Sequence, residues 1–143
     1  MSEGGFEVVY NHLPELAAEI EKVASQLVRK AAFDIQALAQ DNAPVASGFL
    51  EGSIYTVSKG ESTYSAINTS LGDPLPEVES PSDDTTAYVA VGAEYGIYVE
   101  LGTSKMGAQP YLLPAADAVR PAFEEAMSRL EAALELGGLA GGE

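Results

Sequence analysis

The sequence predicts an α+β fold with a long N-terminal helix, a small mostly antiparallel sheet and a kinked C-terminal helix. Apolar residues recur at steps of three and four over residues 13–41, which is the period of an amphipathic helix. The period changes to two over residues 53–93, as in strands that have one buried face. Helical spacing returns after residue 112. Helices at both ends of a run of short strands indicate a sheet packed on helices.

Length and composition limit the domain organisation. With 143 residues, of which 46% are apolar, the chain is long enough for one domain with its own core. We predict a single domain over residues 1–136, an acidic loop insertion at 72–86 and a flexible C-terminal tail at 137–143. The chain has no cysteine, which excludes disulfides, thiol nucleophiles and cysteine-ligated metals.

The first predicted helix is longer than a small core requires. Pro14 fits its first turn, where a missing N–H costs nothing. About 28 residues at 1.5 Å each give roughly 40 Å, so part of the helix surface is expected to pack on something else. The predicted buried stripe consists of Leu13, Leu16, Ile20, Val23, Leu27, Ala31, Ile35 and Leu38.

Four segments have the character of strands. "FEVVY" (6–10) is a candidate short strand, and "SIYTVS" (53–58) and "STYSAIN" (62–68) are predicted to form an antiparallel hairpin. "AYVAVGA" (87–93) is apolar throughout, which predicts a central strand.

The acidic insertion at 72–86 contains prolines and carboxylates but no cation. This composition predicts an exposed, mobile loop. Its carboxylates lack the regular ligand spacing of a calcium loop, so we expect them to be solvated.

The second predicted helix begins near Pro114, and Pro121 is expected to kink or split it. Phe123, Met127, Leu130 and Leu134 are spaced to form its buried face. The final "GGLAGGE" accounts for the predicted tail.

The net charge of -15, from 22 acidic and 7 basic residues, disfavours gripping DNA or binding an anionic membrane. The same charge also fits a simple role in solubility. The N-terminus lacks the pattern of a signal peptide, and no apolar run is long enough to span a membrane. We therefore expect a soluble protein that is made and used without export.

Sequence patterns of catalysis are weak. His12 is the only histidine, so no histidine cluster can bind a metal. "GTSK" is not a phosphate-binding loop, because its lysine follows the threonine and serine and no helix opens after it. Glu94 and Glu100 could be paired as glycosidase carboxylates, yet no aromatic cleft accompanies them. We predict no enzyme activity, no cofactor and no metal; a small acidic hydrolase or cation-binding module that uses Glu94, Glu100 and the acids of 73–84 is a remote alternative.

The stretch "YVELGTSKMGAQPYLLPA" (98–115) contains Lys105, the only cation between Lys59 and Arg120. Gly102 permits a tight turn there, and the prolines at 110 and 114 stiffen the second half of the stretch. Two interpretations compete: a ligand-binding or catalytic loop, and a loop that docks one subunit onto another.

Two motifs carry a resemblance to a known family. "APVASGFLEGSI" resembles the motif Ala-Pro-Val-Asp-Thr-Gly-x-Leu-x-x-Ser-Ile. "YGIYVELGTSKMGAQPYLLPA" is similar to Tyr-x-x-Tyr-Val-Glu-x-Gly-Thr-Ser-Lys-Met-x-Ala-Gln-Pro-Phe-Leu-x-Pro-Ala. Both motifs belong to the head–tail joining, or neck and tail-completion, proteins of long-tailed bacteriophages, and the resemblance covers roughly residues 8–135. Ala46 and Ser47 replace the usual Asp-Thr, and the acidic insertion is longer than usual.

The resemblance implies an α+β structural protein of the virion that forms a ring, most simply a homohexamer, at the head–tail junction. Tail terminator or tail-completion protein is the first expectation, and a neck protein bound to the head-closure ring is the alternative. The implied partners are further copies of the chain, head-closure or connector proteins and the tail tube protein, with assembly in the host cytoplasm and no membrane involved. Genomic DNA would pass through the lumen without specific binding, and acidic faces lining the channel would repel it.

For the contact between subunits, the stiff loop with its single cation is the natural surface, because little entropy is lost when it docks. The predicted subunit or partner interface consists of Tyr98, Glu100, Gly102, Thr103, Ser104, Lys105, Met106, Gln109 and Tyr111.

Overall fold

The computed structural model describes residues 13–44, 48–65 and 75–141. It is an α+β fold, as the sequence predicted. The helices and strands, in chain order, are α1 (Leu13–Asn42), α2 (Gly48–Ser53), β1 (Ile54–Ser58), β2 (Glu61–Ser62), β3 (Ala87–Val91), α3 (Gly96–Leu101) and α4 (Leu112–Gly141).

The strands form one antiparallel sheet in the order β2-β1-β3. The expectation that the strand at 87–93 is central is therefore wrong for the described strands: among them β1 is central and buried along its whole length, whereas β3 lies at an edge. Apolar composition did not distinguish the two, because an edge strand can be apolar on both faces. The predicted hairpin between 53–58 and 62–68 is present, but β2 is only two residues long. Residues 66–68 and the candidate strand 6–10 lie outside the described residues.

One face of the sheet packs on α1. Ile54 belongs to the main buried cluster, and the Thr56 hydroxyl donates a hydrogen bond to Gln36 Oε1 at 2.6 Å. Alternation along a strand places both residues on the same face. The central strand on this face therefore packs against the C-terminal half of α1.

The buried stripe of α1 is displaced from the predicted one. Its most buried apolar residues are alanines, because small side chains let a helix approach a sheet closely. Leu38, which was predicted to be buried, is 37% exposed. The side chains of Leu13 and Leu16 lie outside the described part of the structure. The buried alanines are Ala24, Ala32 and Ala39 on α1, and Ala43 directly after it.

The helix α4 packs along α1 in the antiparallel direction. The Asn42 side-chain amide, at the end of α1, donates to the Tyr111 carbonyl immediately before α4. At the other end of the contact, Leu27 and Phe123 line the same groove. The helix continues through Pro121 without a break, so the expected split is absent, while a kink there stays a prediction. It also includes residues 137–141, where the sequence predicted a tail.

The second face of the sheet is covered by the described part of the acidic segment. The Val78 N–H donates to Tyr55 Oη at 3.0 Å, and Ser80 Oγ donates to the Ser58 carbonyl at 3.3 Å. Tyr55 and Val57 on this face are only 2% and 1% exposed. The prediction of a simple solvated loop was incomplete, because the segment points its carboxylates to solvent while its backbone bonds to the sheet.

Candidate functional site

The candidate site is the connection between α3 and α4, residues 102–111, which we call the lysine loop. Both of its ends are tied to α3 by backbone hydrogen bonds. The Gly102 N–H donates to the Tyr98 carbonyl at 2.7 Å, and the Gln109 N–H donates to the Val99 carbonyl at 2.8 Å. The loop is therefore a closed excursion from a short helix.

The tip of the lysine loop pairs with itself. The Thr103 N–H donates to the Met106 carbonyl at 2.8 Å, and the Met106 N–H returns a bond to the Thr103 carbonyl at 3.4 Å. The Lys105 N–H also donates to Thr103 Oγ1 at 3.2 Å. This places Ser104 and Lys105 at the end of a small turn that is closed by its own hydrogen bonds.

Gly102 sets the start of the loop. Its backbone angles of φ 80° and ψ 171° lie in a region that essentially only glycine occupies. A Cβ at this position would lie 2.7 Å from the Ala108 backbone nitrogen, and a backbone atom cannot rotate away. The sequence prediction that Gly102 permits a tight turn agrees with this geometry.

Tyr111 anchors the end of the loop in the core. Its side chain is 1% exposed, and Oη donates to the Gly96 carbonyl at 2.9 Å. A Cβ on Gly96 would lie only 2.7 Å from Tyr111 Oη, so glycine is needed where α3 begins. Burial, with smaller contributions from the Glu100 carboxylate and from Tyr95, raises the pKa of Tyr111 to about 12.

Glu100 caps the N-terminus of α4. Its Oε1 accepts hydrogen bonds from the N–H groups of Tyr111 and Leu112, and Oε2 accepts one from Leu113, at 3.0, 2.9 and 3.1 Å. A carboxylate at this position satisfies N–H groups that have no partner within the helix and interacts favourably with the helix dipole. Glu100 therefore holds the lysine loop and α4 together.

The residues predicted for the interface divide into two groups. Glu100 and Tyr111 support the loop from inside the subunit, and Gly102 shapes its backbone. The remaining side chains are exposed, and Lys105 makes no salt bridge with any residue in the described ranges. The exposed group consists of Tyr98, Thr103, Ser104, Lys105, Met106 and Gln109.

An apolar surface next to the loop was not found from the sequence. Ile97 and Leu101 on α3 are 59% and 66% exposed, and Leu113 on α4 is 59% exposed. Together with Leu75 they line a groove of about 490 Å³. The apolar residues of "GIYVEL" were the sequence signal for this surface. Six residues are too few to show a helical period, so the sequence could not indicate which of them are exposed.

The pair of Glu94 and Glu100 does not form a free carboxylate pair, because Glu100 is engaged by three N–H groups. No group of three or more histidine, cysteine or acidic residues able to hold a metal occurs within the described ranges. His12 lies outside those ranges.

The fold and the loop define a small α+β domain that presents a stiff, self-paired loop beside exposed apolar side chains. The chain belongs to the HK97-gp10-like family, whose pattern, described as "Bacteriophage HK97-gp10, putative tail-component", matches residues 8–102. The match ends at Gly102, so the rest of the lysine loop and α4 lie beyond it. No significant match was found among curated proteins or among solved structures.

Membership of this family supports a structural role in a bacteriophage tail and a place in the virion. Among the helices of the described residues, none is both long and apolar enough to cross a bilayer.

Proposed function

We propose that this protein forms a ring at the head–tail junction of a phage, where it ends or completes the tail and joins it to the head connector. The observation that carries the proposal is the division of the lysine loop into an anchored base and an exposed tip. The proposal needs no catalytic residue and no cofactor.

The loop is suited to docking because its conformation is fixed before contact. Thr103 and Met106 close the tip, and Gly102 is held at a backbone conformation that few residues can adopt. A preformed loop loses little conformational entropy when it binds, so more of the contact energy remains as affinity.

The chemistry of the tip fits a second copy of this chain. Lys105 is an exposed cation on a subunit whose net charge is -15, so an identical neighbour offers it an acidic surface. Tyr98 and Met106, which are 55% and 38% exposed, add apolar area of the kind enriched in interfaces. Contacts between two different surfaces of identical subunits close into a ring when the rotation allows it. We propose six copies around the DNA channel, with acidic faces toward the lumen.

The alternative within the same class is a neck protein that binds the head-closure ring. Micrographs of particles lacking this protein separate the two. Overlong tails indicate a terminator, and tails of normal length that remain unattached indicate a joining protein. In both cases the tail tube protein and the head connector are the expected neighbours.

The direct test is charge reversal at the tip. Lys105→Glu is expected to leave the subunit folded and to give heads and tails that do not join, because the neighbouring carboxylates now repel the loop. Lys59→Glu is the matched control: this exposed lysine lies in the β1–β2 turn, away from the lysine loop. Normal yields of infectious particles from Lys105→Glu, or an equal loss from Lys59→Glu, would remove Lys105 from the interface.

Mass measurement of the purified protein, alone and with tail tube protein, tests the class itself. A ring-sized assembly in either sample supports the proposal. A persistent monomer that shows metal-dependent hydrolysis would instead favour the hydrolase that uses Glu94, Glu100 and the acids of 73–84.

A further inference from the structure

The β3 edge of the sheet is not paired by any described residue. Strand β3 pairs with β1 on one side only, and within the described ranges nothing pairs with the other. Exposed edge strands are normally protected by charge, proline or a bulge. The β3 sequence "AYVAV" has neither charge nor proline, and all five residues pair regularly with β1. An unprotected edge of this kind favours strand addition.

The backbone groups on that edge can be assigned. The Gly92 N–H donates to the Ser53 carbonyl at 2.8 Å, so the residues alternating with Gly92 along β3 bond toward β1. Ala87, Val89 and Val91 therefore direct their N–H and C=O groups away from β1. These groups present a bonding edge for an added strand of about five residues.

Beside this edge lies an apolar groove of about 470 Å³ between β3, α1 and α4. Because α4 packs along α1 rather than on the sheet, the helical layer extends past β3, and no described residue takes the place of a fourth strand there. Among the described residues that line the groove, Arg120 is the only charged one, and the apolar lining includes Ile35, Val89, Leu113, Ala116 and Phe123.

We propose that the segment "FEVVY", residues 6–10 of a second copy of this chain, adds to β3 as a fourth strand. This inference concerns how copies link, and it rests on the proposed self-assembly. Residues 6–10 lie outside the described part of the chain, but their sequence has the composition of a strand. In an extended chain Phe6, Val8 and Tyr10 share one face, which matches an apolar groove.

The number of residues between the segment and the groove favours a segment from a second copy over the segment of the same chain. Val28 is the first residue of α1 that lines the groove beside Ala87. Leu13 lies 15 residues earlier on the helix, which is about 22 Å away. Tyr10 is three residues before Leu13, so it stays within about 10 Å of it. Tyr10 therefore stays about 12 Å or more short of the groove, so the whole segment cannot pair along its own β3 while α1 is intact, whereas the edge of a neighbouring copy carries no such restriction.

Disulfide trapping in the full-length chain tests the inference, because the sequence has no cysteine of its own. Val9→Cys is combined with Tyr88→Cys or with Ala90→Cys, which covers the two closest registers on the face opposite the groove. The matched control combines Val9→Cys with Glu61→Cys, an exposed residue of β2 at the opposite edge of the sheet. After mild oxidation, we expect chain-to-chain products from at least one β3 variant at tenfold or more the control yield, with the linked peptides identified by mass spectrometry.

The outcomes separate this inference from the proposed ring. Linked dimers without a ring-sized species support strand exchange and count against the ring. A ring-sized assembly without linkage at position 88 or 90 overturns strand exchange and leaves the ring intact. A disulfide within one chain, equal yields in the control, or neither assembly nor linkage would also overturn it.

Discussion

The base and the tip of the lysine loop differ in what holds them. The base is fixed by the rest of the subunit: Tyr111 is buried, Glu100 accepts three N–H groups, and Gly96 leaves room for the tyrosine hydroxyl. The hydrogen bonds of the tip are internal to it, from Thr103 to Met106. The contacts that stabilise the subunit therefore lie at the base, while the side chains of the tip are exposed. We expect substitutions at the base to change folding and substitutions at the tip to change assembly.

The largest effect on stability is expected at Gly102. Gly102→Ala would force a strained backbone conformation and a contact with the Ala108 nitrogen, so the free energy of unfolding should fall by about 3 kcal/mol. Gly107→Ala is the matched control, because a Cβ there meets nothing within 4 Å. Chemical denaturation of both variants measures the difference. Equal stability would mean that the loop changes conformation at little cost.

The buried tyrosine should make stability depend on alkaline pH. The pKa of Tyr111 is raised to about 12 in the folded protein, whereas an unfolded tyrosine ionises near pH 10. Its contribution is complete below pH 10 and is lost as the pH rises through 12, by up to about 3 kcal/mol. Melting temperatures at pH 9 and pH 11 measure the loss. Tyr111→Phe should lose less over this interval; an identical loss would assign the effect to other groups.

Removal of the cap should cost somewhat less. Glu100→Ala leaves the N–H groups before and at the start of α4 without their acceptor, and we expect a loss of about 2 kcal/mol in the free energy of unfolding. Glu94→Ala, at an exposed carboxylate nearby, should change stability by less than about 0.5 kcal/mol. If both variants lose the same amount in urea titrations, the three hydrogen bonds are not what stabilises the base.

The smallest effect on stability is expected at the tip. Lys105→Ala should change the free energy of unfolding by less than about 0.5 kcal/mol, because the side chain makes no ion pair with the described residues. The same variant should weaken assembly, which analytical ultracentrifugation measures. A loss of stability comparable to that of Glu100→Ala would erase the distinction between base and tip.

Periodicity was sufficient to predict the architecture but not the depth of burial. The α+β class and both long helices followed from spacing alone. Spacing did not show which strand is central. Apolar residues occupy both β1 and β3, and only the tertiary arrangement decides which strand has neighbours on both sides. The stripe on α1 was displaced for a related reason: alanines are weak signals of burial in a sequence, yet they are favoured where a helix lies close to a sheet.

The sequence singled out the lysine loop as a candidate site, and that interpretation stays a prediction, but the sequence did not show which residues support the loop from inside the subunit. Gly102 and Lys105 stand out because their residue types are unusual in that context. The contributions of Glu100 and Tyr111 to the base could not be separated from exposed contacts, because their partners are backbone groups that a sequence does not mark. The cover formed by the acidic segment was missed in the same way, since its bonds to the sheet come mainly from its backbone.

Tyr111 touches three parts of the chain at once. Its hydroxyl bonds to the start of α3, its N–H bonds to the carboxylate at the end of α3, and its carbonyl accepts the amide of Asn42 at the end of α1. We expect a mechanical load applied at Lys105 to reach two helices of 30 residues each, in part through Tyr111. If the proposed ring forms, such connections would pass part of the force to the long helices of each subunit rather than to the small sheet.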